Sequence, residues 1–473
     1  MAGPKLLAKT YEPKEVEDRI YAEWMEKGYF RAEIDKNKKP FTIVIPPPSV
    51  TGQLHMGYAL DDTIQDILIR MKRMQGYCTL WLPGTAHAGI STEAKVVEKL
   101  KKDGLREEDI GREKFTYNES KSLENGIDPL EVINQYGIDA LRLSLMIGKT
   151  PGNDIRFSTD RIESVRNFEN KIWNTSRFVL MNMDSGENIK NFNAKNFTLA
   201  DKWILSRVNS LVKEVTENME SFKIGIAAQK LYEFFWDEFC DWYIEMVKPR
   251  LYNAENPTRI EAQYVLNKVL VTSLKLLHPY MPFITNELYD NLIHDGKNIM
   301  VSDWPQYDST LDYSEDKENM SKVMEIIKAV RNIRVEMNVP SSKKCRVMVS
   351  ATDTKIAKVL EVEKDYFERL ASSEIVINPK REEIGENTIS AVVPRVEIFI
   401  PLGELVDIEK EIQRLEKERE NLQKEIARVD GMLSNEKFMA KAPQKVVDEE
   451  KEKRVKYLGM LAKVEERVET MKK

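Results

Sequence analysis

His55, Gly57 and Tyr58 lie in the stretch Phe41 to Leu60, FTIVIPPPSVTGQLHMGYAL, and are residue types suited to holding a nucleotide phosphate. An imidazole can donate to a phosphate oxygen, a phenol offers a second polar tip, and a glycine lets a ligand approach the backbone. The elements around them would have to present these groups. Phe41 to Ile45 is a short β-branched apolar run of the kind that forms a buried strand, and Pro46, Pro47 and Pro48 stop it because they carry no N–H for a ladder. Thr51-Gly52 then opens an amphipathic segment in which Leu54, Ala59, Leu60, Ile64, Ile67 and Leu68 fall at helical spacing. The unit predicted is strand, turn, helix. The helix start offers free N–H groups and a positive dipole end to an anion beside Gly52 and Gly57.

PPPSVTG followed by His55-Met56-Gly57-Tyr58 resembles the HIGH signature of the class I aminoacyl-tRNA synthetases, with flanking text most similar to their valine members. Downstream, Ser120-Lys121-Ser122 in NESKSLENGIDPLEVI resembles the last three residues of that class's KMSKS loop. The resemblance implies a ligase that joins valine to tRNA(Val) through a valyl-adenylate, using ATP with Mg2+ on its phosphates. It implies His55 and Lys121 as catalytic residues. His55, Gly57, Tyr58, Ser120, Lys121 and Ser122 would surround ATP, and Pro47, Pro48, Ser49 and Ala86 the valine. Adenylyl transfer needs both reactants in line and charge on the phosphate oxygens neutralised. A lysine on a loop supplies such a charge over the leaving pyrophosphate.

Several positions depart from the family's pattern. Tyr58 stands where the signature has its second histidine, Asn118 and Glu119 where the loop has lysine and methionine, and Glu124 where it has glycine. Ser49 replaces an asparagine, and Ala86 replaces the aspartate of the family's GTDHAG segment. Glu119 brings negative charge beside a triphosphate. Ala86 leaves the substrate ammonium without its carboxylate, a charged hydrogen bond of about 1.5–3 kcal/mol. Only Thr116 and Tyr117 stand between Phe115 and Asn118, where the family carries the second half of its nucleotide fold and a large editing insertion. A parallel crossover needs about a dozen residues or more. A truncated sheet is therefore predicted, with an uncovered edge that a separate chain could complete, and impaired activation. The alternative is a synthetase-derived module that binds tRNA without catalysis.

Composition sets the frame. A chain of 473 residues divides into about two to four domains, and 42% hydrophobic content suffices for their cores. The formal net charge of −6 neither announces nor excludes a nucleic-acid partner, because 72 Lys and Arg residues can form a local patch. Cys78, Cys240 and Cys345 are isolated and read as buried thiols, not as a disulfide framework or a zinc site. No apolar run reaches membrane-spanning length and MAGPKLLAKTYEPKE lacks an apolar signal core, so a cytoplasmic protein is expected.

The fold class predicted is α/β plus all-α. Residues 1–150 form a partial doubly wound, Rossmann-like catalytic domain without its second half, and 151–199 are connector helices with an Asn-rich linker. Residues 200–344 are a helical bundle whose text resembles the anticodon-binding domain, 345–402 a small α/β module, and 403–473 a C-terminal arm. Within these, residues 11–30 read as a surface helix ended by Gly28, Cys78 to Leu82 as a second strand, and Leu130 to Ile147 and Ser158 to Asn182 as helices. Trp236, Phe239, Trp242 and Tyr243 have a spacing that fits core packing on one helix face better than base stacking. Arg331 and Arg334, one helical turn apart, fit either RNA contact or a solvated charged face. In the arm, Leu405, Ile408, Ile412, Leu415, Leu422, Ile426, Val429 and Leu433 follow heptad steps interrupted by Arg419. Leu461, Val464, Val468 and Met471 offer a second seam, so an antiparallel coiled coil in a monomeric, tRNA-contacting arm is expected, with a homodimeric coil as the alternative.

Overall fold

The computed structural model describes residues 7–46, 55–84, 128–148, 158–184, 186–385, 387–405, 408–435 and 444–472, with a few positions between 94 and 104. The chain forms two compact units, Met1–Lys317 and Glu318–Lys473. It is mostly helical, with two small sheets. Among the described residues no helix is long and apolar enough to cross a membrane.

The first unit opens with helix α1, Pro13–Lys27, which starts on a proline whose missing N–H is no loss there and ends at Gly28. Val16, Ile20 and Trp24 form its buried stripe. Strand β1, Pro40–Val44, pairs in parallel with β2, Cys78–Leu82, and α2, Met56–Met74, crosses between them. This βαβ unit packs Ile67 and Met71 inward. The sheet has two strands among the described residues. Val44 is 64% exposed, and Leu80 and Leu82 are exposed too, so apolar side chains of this sheet face water.

The helical run expected from Leu130 to Ile147 is two helices, α3 Pro129–Tyr136 and α4 Ile138–Met146. Gly137 breaks it at φ 94°, and a Cβ there would lie 2.8 Å from the Pro13 ring, so α1 crosses too closely for any other residue. Helix α5, Thr159–Met181, follows. Residues 192–196 are tied down: Phe192 stacks on Tyr264 at 3.5 Å between centroids, and Glu261 accepts from the Asn193 backbone and the Asn196 side chain at 3.1 Å each.

Helix α6, Leu199–Glu220, begins with a reciprocal cap between Thr198 and Asp201. It packs on α7 Ile224–Glu233 and α9 Arg259–Leu277, and α8 Ile244–Tyr252 and α10 Pro282–Tyr289 pack on α9 in turn to complete a bundle. Phe234–Tyr243, joining α7 to α8, is wound as a π-helix. Along one side of it Phe235 meets Phe239 edge-on at 5.6 Å between ring centroids, and Phe239 stacks on Tyr243 at 6.2 Å. The Tyr243 hydroxyl donates to Asp201 at 2.7 Å. Phe239, Trp242 and Tyr243 are core, while half-buried Trp236 stacks on Tyr232 beneath Lys171.

Helix α11, Ser314–Glu336, leads into the second unit. There β3 Cys345–Ala351, β4 Ser373–Ile377, β5 Thr388–Val393 and β6 Val396–Pro401 form a mixed sheet in the order β4-β3-β6-β5. Only β3 and β4 are parallel, because helices α12 Thr354–Val362 and α13 Lys364–Ala371 connect them. Helices α14 Ile408–Leu433 and α15 Gln444–Lys472 pack on each other. They bury Leu415, Leu422 and Val429 from the first seam, Val464 and Val468 from the second, and Val447, which lies outside the seam expected from sequence; Arg454 pairs with Asp430 across them.

Candidate functional site

His55 is the N-cap of α2. Its backbone is extended, at φ −122° and ψ 172°, and its Nδ1 accepts the Gly57 N–H at 3.1 Å. The helix therefore begins at Met56, later than the opening at Thr51-Gly52 expected from hydrophobic spacing; residues 47–54 lie outside the described residues. With Nδ1 accepting, the ring of the neutral imidazole carries its proton on Nε2, the nitrogen left to serve a ligand. Tyr58 covers one side of that ring, 4.4 Å between centroids at 34°. Gly57 has a use beyond approach of a ligand, since a Cβ there would stand 2.8 Å from His55 Cε1 and 2.9 Å from Nδ1. The exposed imidazole at this helix start is a single oxyanion donor, because the Gly57 N–H is taken by its Nδ1 and the Tyr58 and Ala59 N–H groups by the His55 carbonyl.

The helix is fixed by buried charge. Asp66 receives the Arg70 side chain at 2.7 Å and the Arg142 side chain at 2.6 Å. Burial alone would raise the Asp66 carboxyl, but the two guanidiniums outweigh it and hold it at about 2. Arg142 also donates to the backbone oxygens of Pro279 at 2.7 Å and Tyr280 at 3.2 Å, joining α2 and α4 to the turn before α10. Arg70 lies 5.0 Å over the Trp24 ring, and the Trp24 indole donates to Asn286 at 3.0 Å. The i, i+4 spacing of Asp66 and Arg70 is legible in sequence, whereas Arg142 is far along the chain and gives no local signal.

A second buried cluster sits next to it. Asp139 accepts the Phe283 and Ile284 N–H groups at 3.0 and 2.8 Å, capping α10, and Glu17 accepts the Ile138 N–H at 2.7 Å, capping α4. Glu169 pairs with Arg166 at 2.8 Å. Burial pushes Asp139 up to about 7 and Glu169 up to about 8, and the neighbouring carboxylates add to the rise.

Of the other residues singled out from sequence, Pro47, Pro48, Ser49, Ala86, Ser120, Lys121 and Ser122 lie outside the described residues. Arg331 and Arg334 are described. Arg334 is 6% exposed, and its guanidinium donates to the Pro340 and Lys343 carbonyls at 2.9 and 2.8 Å and to Cys345 Sγ at 3.1 Å. It is neither a solvated charge nor free for a phosphate. Arg331 is half-buried and donates to the Leu370 carbonyl. Cys240 and Cys345 are buried free thiols and Cys78 a half-buried one. Among the described residues no group of three or more His, Cys, Asp or Glu side chains could hold a metal ion, so the Mg2+ implied by the family finds no protein ligand set there.

Three family models match the chain. That for tRNA synthetases class I (I, L, M and V) matches residues 19–119 and 118–158, two pieces that meet where Phe115 is followed so soon by the second signature. The anticodon-binding domain of tRNA ligase matches residues 201–349, and the valyl tRNA synthetase tRNA binding arm matches residues 407–472. A valine–tRNA ligase of Clostridium acetobutylicum is 49% identical over 354 residues, which are 75% of this chain and 40% of that protein. One of Clostridium tetani is 52% identical over 354 residues, with the same two shares. The chain thus spans about 40% of the length of the curated relatives it matches. A solved ternary complex of Agrobacterium radiobacter LeuRS with tRNA and LeuAMS is similar over 59% of this chain and 30% of that one, at 15% identity and a TM-score of 0.32. With both signatures, the bundle and the valyl arm following one another in a single chain, this protein belongs to the class I tRNA synthetases, on the side of the valine–tRNA ligases.

Proposed function

We propose that this chain holds tRNA(Val) through its helical bundle and C-terminal arm, and that on its own it joins valine to that tRNA far more slowly than its longer relatives. The observation that carries this reading is the nucleotide sheet, two strands among the described residues, beside a family match broken into two abutting pieces. A doubly wound fold holds its ligand in the crevice beyond the carboxyl ends of several parallel strands, and a single βαβ unit makes one wall of that crevice.

What remains of the adenylylation machinery is partial. His55 Nε2–H is the donor for a phosphate oxygen of ATP, held by Gly57 and covered by Tyr58. Lys121 supplies the charge for departing pyrophosphate, with Ser120 and Ser122 beside it. Glu119 opposes that charge, and Ala86 offers the valine ammonium no carboxylate. The tRNA-facing parts keep their architecture: the bundle, and α14 with α15 as an antiparallel coiled coil, most simply in a cytoplasmic monomer. The exposed Val44, Leu80 and Leu82 favour a second reading, in which a separate polypeptide supplies the remaining strands.

The test is a filter-binding titration with tRNA(Val) beside valine-dependent ATP–pyrophosphate exchange on the same preparation. Binding without exchange supports the first reading. Exchange restored by adding the absent catalytic half of a relative as a second polypeptide supports the second.

A further inference from the structure

The turn between α6 and α7 carries a backbone arrangement that folding does not explain. Phe222 N–H donates to the Met219 carbonyl at 3.1 Å and Lys223 N–H to the Asn218 carbonyl at 2.8 Å, the paired closure that ends a helix through one left-handed residue. That residue is normally glycine. Here it is Phe222, at φ +60°, where a Cβ is crowded against the backbone. The other non-glycine residues at positive φ are of types, or have partners, that ease the position. Asn338 and Asn378 tolerate it, and Asn378 also accepts the Ala351 N–H. Ser372 donates to the Ser341 carbonyl, and Arg395 lies in the tight turn between β5 and β6. Phe222 has no such return: its ring is 65% exposed and meets no other aromatic ring among the described residues. A strained backbone with its large apolar side chain in water points to a use outside the fold.

We propose that Phe222 is a stacking contact for an unpaired nucleotide of the bound RNA, an inference that rests on the tRNA-holding reading. The surrounding charge is compatible with a polyanion. Each acid of the last turns of α6 faces a lysine, Glu214 with Lys230 at 2.5 Å, Glu217 with Lys213 at 4.0 Å and Glu220 with Lys72 at 3.5 Å. Lys223, next to the ring, is exposed and has no ion-pair partner among the described residues. A flat ring with one cation beside it suits a base and its phosphate, and because phenylalanine has no polar tip the contact is indifferent to which base stacks.

Strain and binding predict opposite responses to one substitution. In the full chain, Phe222→Gly should raise the melting temperature by about one to a few degrees. It should weaken binding of a tRNA(Val) transcript by roughly tenfold or more at fixed salt. Phe222→Trp should keep wild-type affinity within about twofold. Wild-type affinity in Phe222→Gly, or a lower melting temperature, would overturn the contact while leaving tRNA binding intact. A loss of self-association with unchanged RNA affinity would overturn it in favour of a protein surface. No tRNA binding by the wild-type chain would remove the tRNA-holding reading, and this contact with it.

Discussion

The Gly57 N–H points at His55 Nδ1 across 3.1 Å, so the first turn of α2 fixes the tautomer of the imidazole that caps it. Gly57→Ala sets a methyl group 2.8 Å from that ring and should swing it away. With four histidines in the chain, the ring nitrogens are assignable by 15N NMR. The wild type should show a protonated Nε2 and a hydrogen-bonded Nδ1, and Gly57→Ala should show averaged tautomers with unchanged helix content. Removing the donor should also weaken ATP binding by about ten- to a hundredfold, the range of one hydrogen bond to a charged group.

The Asp66–Arg70–Arg142 group should be the most sensitive point of the first unit. Asp66→Asn leaves two buried guanidiniums facing a neutral amide and should cost about 3–5 kcal/mol in urea unfolding. Arg142→Met should cost a similar amount. The double substitution should cost clearly less than the sum, because each single change strands the other's charge.

Stability should fall as pH rises from about 4.5 to 8. Asp139 and Glu169 titrate at about 7 and 8 in the folded chain against ordinary carboxylate values of 3.8 and 4.5 when unfolded. The folded state therefore binds more protons across that window, and unfolding free energy drops as they leave. Glu17, Arg142, Arg166 and Tyr11 face the cluster, and Glu17 reinforces the trend, its carboxyl also raised by burial. Glu169→Gln should remove its share of the slope between about pH 4.5 and 8, leaving the Asp139 share, which ends near pH 7. Asp66 works in the opposite sense: held at about 2, its contribution is present above about pH 4 and lost as pH falls toward 2. Urea midpoints at unit pH steps measure both limbs.

Val429 is buried between α14 and α15, and a charge there should separate them. Val429→Asp should lower helix content and weaken tRNA binding. If the helices pair within one chain, as the Asp430–Arg454 contact indicates, the wild-type melting curve should not move with protein concentration.

Local patterns carried much of the fold into view. The strand Cys78–Leu82, the end of α1 at Gly28 and the short strands after Cys345 follow from apolar runs and their proline or glycine punctuation, while the mixed order of those strands does not. What eluded the sequence depends on distant partners. Gly137 breaks a helix because Pro13 crosses it, and Arg334 turns inward because Pro340 and Lys343 offer carbonyls. The π-helix answers to aromatic packing within the bundle, which α-helical spacing arithmetic does not contain. At the site, residue types pointed to His55 as a phosphate donor. The cap that orients it needed the backbone, because hydrophobic spacing had started the helix too early.

On the proposed reading the chain keeps its hold on tRNA, while a nucleotide sheet of two strands among the described residues leaves amino-acid activation crippled. Valine-dependent exchange of labelled pyrophosphate into ATP, run on the purified chain at a concentration where it retains tRNA(Val), tests it most directly. Exchange at background is the predicted result; exchange at the rate of a full-length relative would contradict it.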